Sequence, residues 1–144
     1  MRIDYFSHLP EFITPLRQLT LQQHELTLPA PLRALLELRV SQLNGCVYCV
    51  ALHTKEARQL AVPAAQLDHL PVWQESPAFS VEEKAALAWA EALTLRATRP
   101  DDEAAFATLR EHFTEREIVE IGLSVSLANF WNRMAGGFRR LPGE

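Results

Sequence analysis

No apolar run in this 144-residue sequence approaches the length of a membrane span, because Arg, Lys, Glu or Asp interrupts nearly every stretch. Even the most apolar segment, residues 118–128, holds Glu120, Gly122 and two serines. The opening residues, MRIDYFSHLPEF, lack the apolar stretch that a secretory signal needs. These absences set the expectation of a soluble cytoplasmic protein with no membrane partner. Lysine is scarce as well: of fourteen Lys and Arg residues only Lys55 and Lys84 are lysine, and the arginines are scattered among acids. With a formal charge of −4 the chain has no basic tract to follow a nucleic-acid backbone. It has no glycine-rich phosphate loop, so neither nucleotide nor flavin is expected. β-Branched residues are sparse and no alternating run is closed by an Asn-Gly or Asp-Gly turn, which leaves little signal for strands. No internal repeat or low-complexity segment is visible.

Helix punctuation, by contrast, is plentiful. Hydrophobic residues make up 48% of the chain, enough to bury one core, and the expectation is an all-α domain over residues 1–144. Pro10 and Pro15 are expected to break residues 1–28 into short pieces. From Pro31, Leu32, Leu35, Leu36, Val40 and Leu43 fall at helical spacing, with Leu38 off the stripe, which predicts a helix covered on more than one side. Asn44-Gly45 is a helix stop, because both residues tolerate a left-handed backbone. A second helix is predicted from about Cys46 to Leu60, a short turn or helix after Pro63, and a loop over 70–79. Ser80-x-x-Glu83 and Thr114-x-x-Glu117 read as capping boxes, opening helices to about Ala97 and Met134, with Gly136-Gly137 ending the second. Pro100 followed by Asp101, Asp102 and Glu103 places negative charge at another helix start. The core motif thus falls in 30–60 and the C-terminal helices in 80–140. The last helix is apolar on nearly all sides, as expected for a central or subunit-covered helix.

The chemistry-bearing run is Asn44-Gly45-Cys46-Val47-Tyr48-Cys49-Val50-Ala51-Leu52-His53. In a reducing cytosol, two cysteines in one tight motif are more often catalytic or metal-binding than a structural staple. Spacing i, i+3 on a helix brings the Cα atoms to roughly 5 Å, within disulfide range, so the pair can open and close without large backbone movement. His53 lies four residues after Cys49, one turn along the same face, where imidazole can take the thiol proton or stabilise a thiolate. Cys46 is nearer the helix N-terminus, which lowers a thiol pKa; Cys49 has the specific base. The second argument favours Cys49 as nucleophile and Cys46 as resolving thiol. Two other readings stand beside this one. C-x2-C-x3-H offers three zinc ligands, although no second CxxC completes a site, and two cysteines with one histidine can also be inert core.

The run from Leu38 to Lys55, with Trp73-Gln74-Glu75-Ser76-Pro77, Glu83 to Glu91 and Trp131-Asn132-Arg133, resembles the alkylhydroperoxidase D-like branch of the carboxymuconolactone decarboxylase superfamily, over about residues 30–140. The resemblance implies an all-α fold assembled as trimers or hexamers. It also implies a thiol-dependent peroxidase that reduces small hydroperoxides, needs no cofactor and is recycled by an external dithiol donor. On its pattern Cys49 is peroxidatic, Cys46 resolves, His53 relays protons, and Tyr48 joins the relay in some members. The family's relay glutamate, twelve residues before the first cysteine, falls on Ala34 here. Glu37 is one turn closer, displaced by about 4.5 Å along the axis and about 60° around it. It either substitutes in the relay or faces solvent or an arginine. The superfamily's lactone decarboxylase does not depend on this cysteine pair, so the intact CxxC points to redox chemistry. Ala34 also keeps open a redox-sensing or scaffold protein of low turnover.

The remaining candidates get structural readings. Trp73, Trp89 and Trp131 are expected to anchor core or interface. Arg39 sits on the apolar stripe and needs a carboxylate. Arg133 is expected to pair with an acid, and His8, His24, His69 and His112 carry no motif.

Overall fold

The computed structural model describes residues 1–144 and is helical throughout, with no strand. Its helices are α1 (Tyr5–His8), α2 (Pro10–Gln22), α3 (Ala30–Leu43), α4 (Val47–Gln59), α5 (Ala64–His69), α6 (Val81–Thr94), α7 (Glu103–His112) and α8 (Glu115–Gly137). Short 3-10 turns, Gln23–Glu25 and Leu70–Glu75, follow α2 and α5. No helix is long and apolar enough to cross a membrane.

α3 is the central helix, packed against α4, α6 and α8. Leu35, Leu36 and Leu38 are all at most 2% exposed, which three near-consecutive positions achieve only when a helix is wrapped on several sides. Burying each leucine contributes about 1.5–3 kcal/mol. Leu87, Leu109, Ile121 and Val125 bring α6, α7 and α8 into the same core.

Both capping boxes form. Ser80 Oγ accepts the Glu83 N–H at 3.2 Å, and Thr114 Oγ1 accepts that of Glu117 at 3.3 Å, with each glutamate returning a bond to its cap. Helix ends depart more from expectation. α6 stops at Thr94 rather than Ala97, and α8 runs through Gly136 and Gly137 rather than ending before them. Residues 70–75 form a 3-10 helix rather than a loop. The leader is also more regular than its prolines suggest. Pro10 takes the first position of α2, where its missing N–H costs nothing, and Pro15 lies inside the helix at an exposed position.

Buried polar groups bind distant segments together. Glu91 accepts from Arg39 Nε at 2.7 Å and from Trp73 Nε1 at 2.8 Å, the carboxylate that Arg39 requires. Trp73 is buried, and Trp89 packs on Phe106. Arg133 meets no acid: its guanidinium donates to the carbonyl and side-chain oxygens of Asn129, one turn back and within its reach.

Candidate active site

The turn between α3 and α4 builds the cysteine pair. Gly45 adopts φ +64°, and the Gly45 and Cys46 amides donate to the Gln42 and Ser41 carbonyls at 3.2 and 3.1 Å. This is a Schellman closure of α3, and it delivers Cys46 directly to the start of α4. Cys46 is therefore the N-cap rather than the first helical residue, and its Sγ accepts the Cys49 N–H at 3.3 Å. The pair is joined by a disulfide with the Cα atoms 5.3 Å apart, so in this state neither sulfur is a zinc ligand. α8 clamps the turn: Asn44 Nδ2 donates to Asn129 and Asn132 at 3.0 and 2.9 Å, and Asn132 Nδ2 donates to Ser41 at 3.0 Å. Asn132 thus belongs to the frame of the cysteine turn.

The two sulfurs differ in surroundings. Both residues are nearly buried, 2% and 3% exposed, against Ala135 and Tyr48. Cys49 lines a cavity of about 550 Å³ together with Tyr48, Glu37, His53, Glu56 and Trp131, whereas Cys46 does not line it. The volume is within the range of small-molecule sites. Tyr5, Phe6 and Arg140 close one side; the Arg140 guanidinium lies 4.2 Å from the centre of the Tyr48 ring, a cation–π contact. Burial pushes the Tyr5 hydroxyl pKa up. Trp131 donates to Thr20 at 2.7 Å from the cavity wall.

His53 shares the cavity with two carboxylates. Its Nδ1 lies 2.7 Å from Glu56 Oε2 and 3.5 Å from Glu37 Oε2. Glu37 comes from α3, is buried, and receives Gln23 Nε2 on Oε1 at 3.2 Å, with Arg33 Nε 4.0 Å from the same oxygen. Glu37 meets both fates in part: one oxygen faces His53 and the other pairs with Arg33. Burial raises the Glu37 pKa, against the opposing pull of His53 and Arg33. For His53, burial works to lower the pKa, but the bond to Glu56 and the charge of Glu37 outweigh it and the net direction is upward. With Nδ1 turned to the carboxylates, Nε2 is the nitrogen left for proton exchange.

Sequence reasoning singled out Cys46, Cys49, His53 and Tyr48 and left Glu37 between the relay and solvent or an arginine. It missed Glu56, whose i, i+3 spacing from His53 was a readable signal. It also missed Gln23, Tyr5 and Arg140, which reach the site from chain ends with no motif to mark them.

Residues 8–92 match the Carboxymuconolactone decarboxylase family. The chain is 31% identical over 134 residues to the uncharacterized protein YdfG of Bacillus subtilis (strain 168), covering 93% of this chain and 91% of that one. Among solved structures, ATU0492 of Agrobacterium tumefaciens is a protein of unknown function assigned as a candidate antioxidant defence protein AhpD. It superposes with a TM-score of 0.94 at 36% identity, covering 99% of this chain and 98% of that one. The debrominase Bmp8 shares the fold, with a TM-score of 0.83 at 19% identity over 96% of this chain and 75% of its own. By its matched residues, its relatives and its fold, the chain is an AhpD-like member of the carboxymuconolactone decarboxylase family.

Proposed function

We propose that the protein is a thiol peroxidase for small hydroperoxides, cycling between the Cys46/Cys49 dithiol and its disulfide. In the reduced state His53 takes the Cys49 proton, and the thiolate attacks the distal peroxide oxygen. The O–O bond breaks, Cys49 becomes a sulfenic acid, and the alcohol leaves with the proton that His53 held. Cys46 then attacks the Cys49 sulfur, forming the S–S bond and releasing water. An external dithiol supplies two electrons and two protons to reopen the pair. Glu37, Glu56 and Tyr48 serve the proton relay around His53. No metal or organic cofactor takes part, and the protein works in the cytoplasm as a trimer or hexamer.

One observation carries the assignment of roles: the cavity that holds His53 reaches Cys49 and not Cys46. The placement of Cys46 supports its complementary role, since an N-cap thiolate accepting the Cys49 amide is stabilised by the helix terminus. A slower redox-sensing role is favoured by the near-complete burial of both cysteine residues. Peroxide consumption by the reduced protein, with a dithiol donor present, separates the readings. The peroxidase account expects sustained turnover in the parent and a loss of at least about 100-fold in Cys49→Ser, the scale of a lost reacting group. In Cys46→Ser, turnover should slow and rest on direct attack of the donor on the Cys49 sulfenic acid. One equivalent consumed by the parent, with reduction by dithiol too slow to sustain turnover, would support the sensor. Parental turnover in Cys49→Ser would end the assignment.

A further inference from the structure

We propose that Glu37, His53 and Glu56 form a binding site for a divalent transition-metal ion of the Zn²⁺ class, and that its occupancy switches the cysteine pair off. The second half rests on the peroxidase reading; the site itself does not. His53 Nδ1 and one oxygen from each glutamate all lie within 4.8 Å of one another. A tetrahedral ion with bonds of about 2.0–2.1 Å needs ligand separations of roughly 3.4 Å. The Nδ1 to Glu37 distance, 3.5 Å, already matches. The 2.7 Å to Glu56 must open slightly, and that side chain, 42% exposed, is free to move.

Charge favours the same occupant. Two carboxylates face one ring nitrogen, whose single proton can be donated fully to only one of them. A divalent ion there balances both. Its nearest positive neighbour, Arg33, lies by the other Glu37 oxygen, Oε1, and donates from Nη1 to the Gln23 carbonyl. Arg33 and Gln23 thereby hold Glu37 from behind, leaving Oε2 toward His53, the outer support that metal-binding carboxylates need. Helical bundles gather metal donors from a Glu and a His at i, i+3 with carboxylates from facing helices, and the same residue types meet here with the histidine first.

An independent observation comes from Gln23. The residue is 4% exposed, it lines the same cavity, and its Oε1 has no hydrogen-bond partner. With Nε2 committed to Glu37 Oε1, the free Oε1 is an acceptor for a metal-bound water, which donates hydrogen bonds. The mixed nitrogen and oxygen donor set suits Zn²⁺, Co²⁺ or Mn²⁺. Occupancy has a direct chemical consequence. Coordination through Nδ1 confines the ring proton to Nε2, so no lone pair remains to take a proton from Cys49.

The test is calorimetric titration of Zn²⁺ into the protein with its disulfide closed, which removes sulfur from competition. One Zn²⁺ per chain is expected, weakened at least about tenfold in Glu56→Gln and again in Glu37→Gln. Circular dichroism checks that each variant is folded. Glu56 is the safer position because its side chain is half exposed. Co²⁺ should give a visible spectrum free of sulfur charge-transfer bands. Equal affinity in the parent and Glu56→Gln, or no binding by a chain that still reduces peroxide, would overturn the site and leave the thiol chemistry intact. Zn²⁺ bound as expected by a chain that consumes no peroxide would support the site and remove its link to thiol chemistry.

Discussion

Glu91 answers two buried donors at once, the Arg39 guanidinium and the Trp73 indole N–H. Arg39 and Glu91 side chains are 13% and 14% exposed, so removing the acid strands a cation with little water to replace it. Glu91→Ala should lower the unfolding free energy by about 3 kcal/mol, read by urea denaturation. A loss under about 1 kcal/mol would mean that Arg39 finds water or another acceptor. The need for a carboxylate was legible from Arg39 on an apolar stripe, but its identity was not, because the partner is 52 residues away. Glu37 shows the same limit. Spacing from Cys46 left two fates open, and the crossing of α3 over α4, which sequence does not specify, put it beside His53. Glu56 was readable from local spacing alone, and Gln23 was not readable at all.

At the scale of elements, the signals that survived best are those written into one turn. Ser80 and Thr114 cap as predicted because a capping box is a local hydrogen-bond exchange. Helix C-terminal ends were less legible: α6 stops before Ala97, and α8 runs on through Gly136 and Gly137 because glycine lowers helix propensity without forbidding the helix. Asn44-Gly45-Cys46 is the most informative triplet, closing α3 and capping α4. Gly45 has a left-handed backbone and no atom within 4 Å of where a Cβ would stand. Gly45→Ala should therefore cost about 1–2 kcal/mol from backbone conformation alone. Gly122 in α8 is equally uncrowded but has no positive φ, so Gly122→Ala should stabilise by about 0.5–1 kcal/mol. Thermal denaturation of the two variants checks the opposite signs; the same sign in both would refute the backbone account.

Across the whole molecule, the all-α class was legible because strand signals were absent and helix caps abundant. What was not legible is how the N-terminal segment is fastened to the body. Glu120 in α8 does much of this, accepting from the Leu28 amide at 2.8 Å, Thr27 Oγ1 at 2.9 Å and Arg116 Nε at 3.0 Å. Burial pushes its pKa up, but the bonds from Leu28 and Thr27 outweigh burial and hold it below the ordinary value. A depressed folded pKa means that this stability is present above the unfolded value, about 4.3, and is lost as pH falls through the folded one. Parent stability should therefore fall through this acid range more steeply than that of Glu120→Gln, which is less stable at pH 7. Parallel curves from denaturant titrations at several pH values would contradict this. The central claim, that the cavity lined by Cys49 makes it the reacting cysteine, is most directly tested by trapping the first oxidation product. Reduced Cys46→Ser given one equivalent of hydroperoxide and dimedone should carry the sulfenic-acid adduct on Cys49 in peptide mass spectrometry. No adduct there, together with an adduct on Cys46 in reduced Cys49→Ser, would contradict the account.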